Sequence, residues 1–244
     1  MLRAVITAGG RVDGPFAAAI GTPTKALAPF GAGVLLDVVL AAVRDAGIAE
    51  VAVVGGDDVA AHLEGSGARI LPADPEGATN VGRALDAWSD GDLLYATSDL
   101  PFVDAAALGA FLAAGAGYDL TLPLADGDAY ERAFPAAPPH VMDLAGTRIA
   151  NGSVFFIAAG ARVAIRDAAM RAFDARKNAF ALAALLGPVL LARYALRRLR
   201  IGDVERRVQR VLGVRAHAVT GAAPGLCFDV DTLDDYRYAC ARRR

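Results

Sequence analysis

The chain opens on an apolar run, residues 2–7, rich in strand formers and followed by a glycine-bearing loop. Helix-spaced apolar positions run over 34–46 and stop at Gly47, and 51–54 reads as a second strand. A short helix at 59–63, a strand at 68–71, a helix from Thr79 or Asn80 to Trp88, a strand at 93–97 and a helix at 105–114 continue the alternation. These strands are apolar on both faces, the pattern of parallel βα units covered by helices. The predicted class is therefore α/β, three layers deep, with a mostly parallel sheet.

The pattern changes after residue 123. Gly127, Gly146 and the Pro138-Pro139 pair mark 126–150 as loops or short antiparallel strands, suited to a lid or acceptor-binding wall. Residues 154–157 read as a buried strand. A helical block over 159–212 is expected to break at Gly187-Pro188 and near Gly202, and 214–219 and 226–230 read as late strands before a final helix from Leu233. The expectation is one domain over 1–244, with an insertion at 124–150 and a helical elaboration at 159–212.

At 244 residues and 55% apolar content the chain can bury a sizeable core. A formal net charge of -2 gives no electrostatic case for nucleic acid. The apolar run 180–191 is shorter than the roughly 20 residues that cross a bilayer, and Arg193, Arg197 and Arg198 follow it. It reads as helix packed on the protein, with an amphipathic membrane contact or a homodimer face as alternatives. Three histidines and the two separated cysteines, Cys227 and Cys240, exclude a Cys/His zinc cluster. The N-terminus reads as a first strand and not as a secretory signal, so the expected location is cytoplasmic. Of the histidines, His62 is expected on a solvent-facing helix, while His140 and His217 show no catalytic partner.

Two acidic segments stand where strands should end: Ser98-Asp99-Leu100-Pro101 and Phe228-Asp229-Val230-Asp231-Thr232. Strand ends of an open sheet share a crevice in which ligands bind. Carboxylates meeting there suit a divalent cation held against phosphate oxygens. Gly9-Gly10 lets the backbone approach a phosphate without a Cβ clash, and Lys25 can reach a triphosphate as a mobile charge. Each has a plainer reading: Gly9-Gly10 as a tight turn, Lys25 as a surface lysine, Asp99 and Asp231 as helix caps. Asn80 either contacts a base or caps the next helix, and Asn151 either positions an acceptor phosphate or shapes a turn. Asp126, Asp128, Glu131 and Arg132 either orient an acceptor or form a solvated loop.

Four segments carry a family resemblance: Ala4-Val5-Ile6-Thr7-Ala8-Gly9-Gly10, Thr24-Lys25-Ala26-Leu27, Tyr95-Ala96-Thr97-Ser98-Asp99-Leu100-Pro101 and Asp229-Val230-Asp231-Thr232. In order and spacing the chain resembles the MobA-like NTP transferases, the nucleotidyltransferases related to molybdenum-cofactor guanylyltransferase and sugar-nucleotide pyrophosphorylases. The resemblance implies a Rossmann-like, GT-A-like fold and transfer of a nucleoside monophosphate from a triphosphate to a phosphorylated small molecule, with Mg2+ as cofactor and pyrophosphate released. It implies Lys25, Asp99 and Asp231 as catalytic, with Asp99 and Asp231, or Asp229, on the metal. Ala8, Gly9, Gly10, Arg11, Lys25, Asn80 and Asp99 would line the nucleotide, and Asn151 and Gly152 the acceptor. The family's loop arginine normally falls a few positions beyond the glycine pair; here Arg11 follows Gly10 at once. The alternatives are a GT-A-type glycosyltransferase, which commonly carries a D-x-D motif that Ser98-Asp99-Leu100-Pro101 does not supply, and a noncatalytic nucleotide-binding protein.

Overall fold

The computed structural model describes residues 1–175 and 187–243. Its first half follows the apolar pattern. Strand β1 (Leu2–Thr7) leads through helix α1 (Gly14–Ile20) and two short strands, β2 (Pro29–Phe30) and β3 (Gly33–Val34), to α2 (Leu35–Asp45). Then come β4 (Val51–Gly55), α3 (Asp57–His62), β5 (Arg69–Pro72), α4 (Gly77–Leu85), β6 (Asp92–Thr97) and α5 (Ala105–Ala114). The second half contains β7 (Leu120–Asp126), α6 (Gly127–Ala133), β8 (Met142–Leu144), β9 (Thr147–Asn151), β10 (Val154–Ile157) and α7 (Arg162–Ala175). After the undescribed residues come α8 (Pro188–Ala195), α9 (Ile201–Leu212), β11 (Ala216–Thr220) and α10 (Leu233–Arg242).

The main sheet runs β5-β4-β1-β6-β10-β7-β9-β8, with β11 also on β7. Alternate residues of the parallel strands serve opposite cores. Ala4, Ile6, Val53 and Leu94 pack with α2 and α5 residues such as Leu36, Val39 and Leu108. Val5, Ala52, Val54 and Leu93 pack with Val81 and Leu85 of α4 and Ile165 of α7. The period of two thus feeds both faces, and burial on both sides explains the near-continuous apolar runs.

The sheet is mixed, where a mostly parallel one is the sequence expectation. β10 lies antiparallel between β6 and β7, β9 is antiparallel to β7, and β11 is parallel to β7. A short apolar strand carries no direction of its own, and β9–β10 is one return run interrupted at Gly152-Ser153.

Four further differences have local causes. Residues 226–230 form no strand: a 3-10 turn, Pro224–Leu226, precedes an extended crossing in which Val230 donates to the Asp99 carbonyl at 3.0 Å. Helix α4 starts at Gly77 after Glu76, so neither Thr79 nor Asn80 caps it. The break expected near Gly202 falls before α9, after Arg197 at φ 53°, and Gly202 lies within the helix. Residues 127–133 are helical because Asp126 caps them, accepting from the Ala129 N–H at 2.9 Å. The stretch 176–186, which holds much of the apolar run ending at Leu191, lies outside the described residues. Among the described residues no helix is long and apolar enough to cross a membrane.

Candidate active site

β1 and β6 are paired in register up to Thr7 and Thr97. The glycine loop and the Ser98-Asp99 turn therefore leave the sheet side by side, and the Ser98 N–H donates to the Thr7 carbonyl at 3.1 Å. Lys25 reaches the same point from the far side of the loop, its N–H donating to the Gly10 carbonyl at 3.0 Å. A Cβ added to Gly10 would stand 3.6 Å from the Lys25 Cε, so the loop and the lysine stem are in contact.

The Lys25 ammonium pairs with the Asp99 carboxylate and lies 3.3 Å from Asp231 Oδ1. The two carboxylates predicted to share a cation thus share one positive charge. Burial pulls the Lys25 pKa down, but Asp99 and then Asp231 outweigh it and hold the ammonium above its ordinary range. Asp99 is buried, and its Oδ1 has no hydrogen-bond partner among the described residues. Loss of water around Asp231, then the charges of Asp229 and Asp99, push its carboxyl upward against Lys25. Its side chain keeps 68% of its surface exposed, so solvent screening holds that effect small.

Asp229 is turned toward different partners. Ser153 Oγ donates to its Oδ2 at 2.9 Å, and His140 Nδ1 lies 3.5 Å from its Oδ1. Burial raises the Asp229 carboxyl, but His140, Ser153 and Lys25 together hold it below the usual range. The His140 Nε2 lies 3.0 Å from Asp235 Oδ1. Asp229 and then Asp235 push the imidazole up to about 9 against its burial, so it is a cation at neutral pH. Asp235 is buried and completes a capping box with Thr232, accepting from the N–H groups of Thr232 at 2.7 Å and Asp231 at 3.2 Å. The acidic segment is therefore fixed by the start of α10, and the cap is Thr232 rather than Asp231. Phe228 anchors it from behind, 5.0 Å from both Phe102 and Phe134 and 5.1 Å from His140 between ring centroids.

Ser153, His140 and Asp235 are the site residues sequence reading misses. The partners lie far apart in sequence, and no spacing advertises them; the one signal is that Ser153 falls in the Asn151-Gly152-Ser153 break. Gly152 is buried, and its N–H donates to the Pro123 carbonyl at 3.0 Å. Asn151 ends β9 and is exposed.

Among the described residues the N–H groups of Gly9 and Gly10 meet no acceptor, which leaves them open to an anion. Ala8 is buried, its N–H donating to the Val54 carbonyl at 2.8 Å. Asn80 sits beneath the loop, its Nδ2 3.2 Å from where a Gly9 Cβ would be. Its amide accepts from the Asp74 N–H at 2.6 Å and donates to the Asp74 carbonyl at 2.8 Å, clamping the turn that borders the loop. Arg11 is exposed, with its guanidinium 3.5 Å from Thr24 Oγ1. Asp128 and Glu131 both pair with Arg148.

Among the described residues no three His, Cys, Asp or Glu side chains form a complete metal cage. Two carboxylates around a single positive charge, one with an orphaned buried oxygen, fit instead a hard cation completed by phosphate oxygens and water.

A family model for the MobA-like NTP transferase domain matches residues 4–218. A solved structure described as a hypothetical transferase from Thermus thermophilus is 30% identical, with a TM-score of 0.83, covering 96% of this chain and 99% of that one. A 2-C-methyl-D-erythritol 4-phosphate cytidylyltransferase, also from Thermus thermophilus, is 22% identical, with a TM-score of 0.56 and coverage of 99% and 98%. A Mycobacterium tuberculosis protein solved in complex with manganese is 18% identical, with a TM-score of 0.55 and 98% of each chain covered. No curated protein sequence matches the chain.

Proposed function

The chain belongs to the MobA-like NTP transferase family, and from that premise we propose that it transfers a nucleoside monophosphate from a triphosphate to a phosphorylated small molecule, releasing pyrophosphate, with Mg2+ as cofactor. The observation that carries this reading is the convergence of Asp99 and Asp231 on the Lys25 ammonium beside the glycine loop. The cytidylyltransferase and the manganese-bound relative are consistent with a phosphorylated acceptor and a divalent cation.

Asp99 and Asp231 would hold the cation, with Asp229 as an adjoining carboxylate that Ser153 and His140 already engage. When bound, Mg2+ supplies charge compensation at the phosphate oxygens as negative charge moves to the leaving pyrophosphate. The open amides of Gly9 and Gly10 orient the triphosphate from one side. Lys25 can swing its ammonium from the carboxylates to the phosphates, because its flexible stem and three donors fix no single geometry. The acceptor oxygen attacks the α-phosphorus, the bond to the β-phosphate oxygen breaks, and the pair leaves with pyrophosphate. A phosphate acceptor is already ionised at neutral pH, so no side chain has to remove a proton from it. Asn151, exposed at the end of β9, is the acceptor-side candidate.

The test is a matrix of nucleoside triphosphates against phosphorylated sugars, alcohols and cofactor precursors, with magnesium and pyrophosphate detection. Pyrophosphate formation that needs triphosphate, acceptor and cation together is expected. Release of a nucleoside diphosphate from a nucleotide sugar, with no turnover of any triphosphate, would replace this reading with glycosyl transfer.

A further inference from the structure

A second charged cavity lies between α8 and α9, built from neither the glycine loop nor the acidic segments. It has a volume of about 200 Å3 and is lined, among the described residues, by Arg193, Arg206, Arg207 and Arg210 against one carboxylate, Asp203. Arg193 and Arg206 both donate to Asp203, whose side chain is 4% exposed. That carboxylate offsets one charge and aims two guanidinium groups. Arg207 is different: its Nε is buried and meets no hydrogen-bond partner among the described residues. A buried charged donor without an acceptor is destabilising, and an arriving anion would relieve it. The first turn of α8, Pro188 to Leu190, opens on the same cavity and adds the positive end of a helix. The backbone leaves room for this arrangement because the residue preceding α8 is a glycine. Gly187 has φ 81°, and a Cβ there would stand 3.2 Å from an Arg207 terminal nitrogen.

We propose that this cavity is an anion site for the phosphate or diphosphate group of a small molecule. Four arginines facing one aspartate leave an excess of positive charge that a single carboxylate ligand would not balance, whereas a phosphate dianion or diphosphate does. Guanidinium forks match phosphoryl oxygens in pairs, and the small volume favours a phosphoryl group over a whole nucleotide. The inference does not rest on nucleotidyl transfer, since none of these arginines belongs to the strand-end site.

Calorimetric titration of the whole protein with inorganic phosphate and with pyrophosphate, at low salt and in magnesium-free buffer, tests it. Wild-type protein is expected to bind at least one of them saturably, with a Kd of about 1 mM or lower. Arg207→Ala should weaken binding about tenfold or more, and Arg210→Ala, at an exposed position, should weaken it several-fold without disturbing the fold. Lys25→Ala should leave this binding in place. No saturable binding by wild-type protein, or binding that Lys25→Ala abolishes and folded Arg210→Ala retains in full, would overturn the proposal.

Discussion

The Nζ of Lys25 lies 3.3 Å from Oδ1 of Asp231, a contact that spans 206 residues of sequence. The same ammonium neutralises Asp99, whose side chain is only 10% exposed. Lys25 is therefore a structural counter-charge, in addition to the phosphate-reaching role proposed for it. Lys25→Ala should lower stability by about 2–3 kcal/mol, because the carboxylate it leaves behind is partly desolvated. Thermal unfolding in chelator measures that loss. Added Mg2+ should raise the Tm of the variant more than that of wild type, since the lysine no longer competes for the carboxylates. Equal magnesium responses would show that ammonium and cation do not share the position.

Asp99→Asn keeps the shape of the side chain and removes its charge. Loss of kcat/KM on the order of 10²–10³-fold is expected, the range for deleting one preorganised electrostatic group. Asp231→Asn should shift the magnesium dependence while changing stability little, because its side chain is largely in solvent. Metal-dependent turnover and unfolding curves for the two variants separate these roles. Wild-type turnover in a folded Asp99→Asn protein would remove Asp99 from the mechanism.

His140 sets a pH dependence whose direction is fixed by its raised pKa. The folded imidazole titrates at about 9 against an ordinary value of 6.5. The stabilisation it supplies through Asp229 and Asp235 is therefore complete below about pH 6.5 and disappears as the pH rises through 9. In metal-free buffer, wild-type protein should lose roughly 1–3 kcal/mol more than His140→Gln between these limits. The Asp229 carboxyl, held below the usual carboxylate range by His140, Ser153 and Lys25, lies outside this pH window and adds no second contribution within it. Parallel pH–stability curves for the two proteins would show that the imidazole is not held as a cation.

The parallel half of the sheet was legible because burial on both faces leaves nearly unbroken apolar runs between helix-spaced segments. Asp99 stood out for the same reason, since a strand end followed at once by a carboxylate breaks that pattern. Phe228 misled: its apolar neighbours resemble a strand, but it is buried in an aromatic cluster, and Val230 bonds to a turn carbonyl rather than to a ladder. Asn80 misled in the opposite way, since a polar residue near a helix start reads as a cap when its amide instead clamps a preceding turn. His140 left no trace at all. It follows a Pro-Pro pair in an irregular segment, and its partner Asp235 is 95 residues away. Periodicity reports which face a residue takes within its own element, and each of these contacts ties an element to an irregular segment outside it.

Gly152 gives the most direct test of how the strand break positions the acidic segment. A Cβ there would stand 2.4 Å from the Leu226 carbonyl oxygen and 2.6 Å from the Pro123 Cγ, distances that backbone and ring cannot yield without moving. Gly152→Ala should therefore push residues 226–229 outward, costing about 1–3 kcal/mol by overpacking. The movement also separates Asp229 from Ser153 Oγ, so turnover should fall further than stability alone accounts for. Gly109→Ala is the matched control: it lies within α5, and a Cβ there meets nothing within 4 Å. That substitution should stabilise the helix by about 0.5–1 kcal/mol and leave activity unchanged. Chemical denaturation and pyrophosphate release measured on both variants make the comparison, and a Gly152→Ala protein matching the control in both would show that the break does not hold the acidic segment in place.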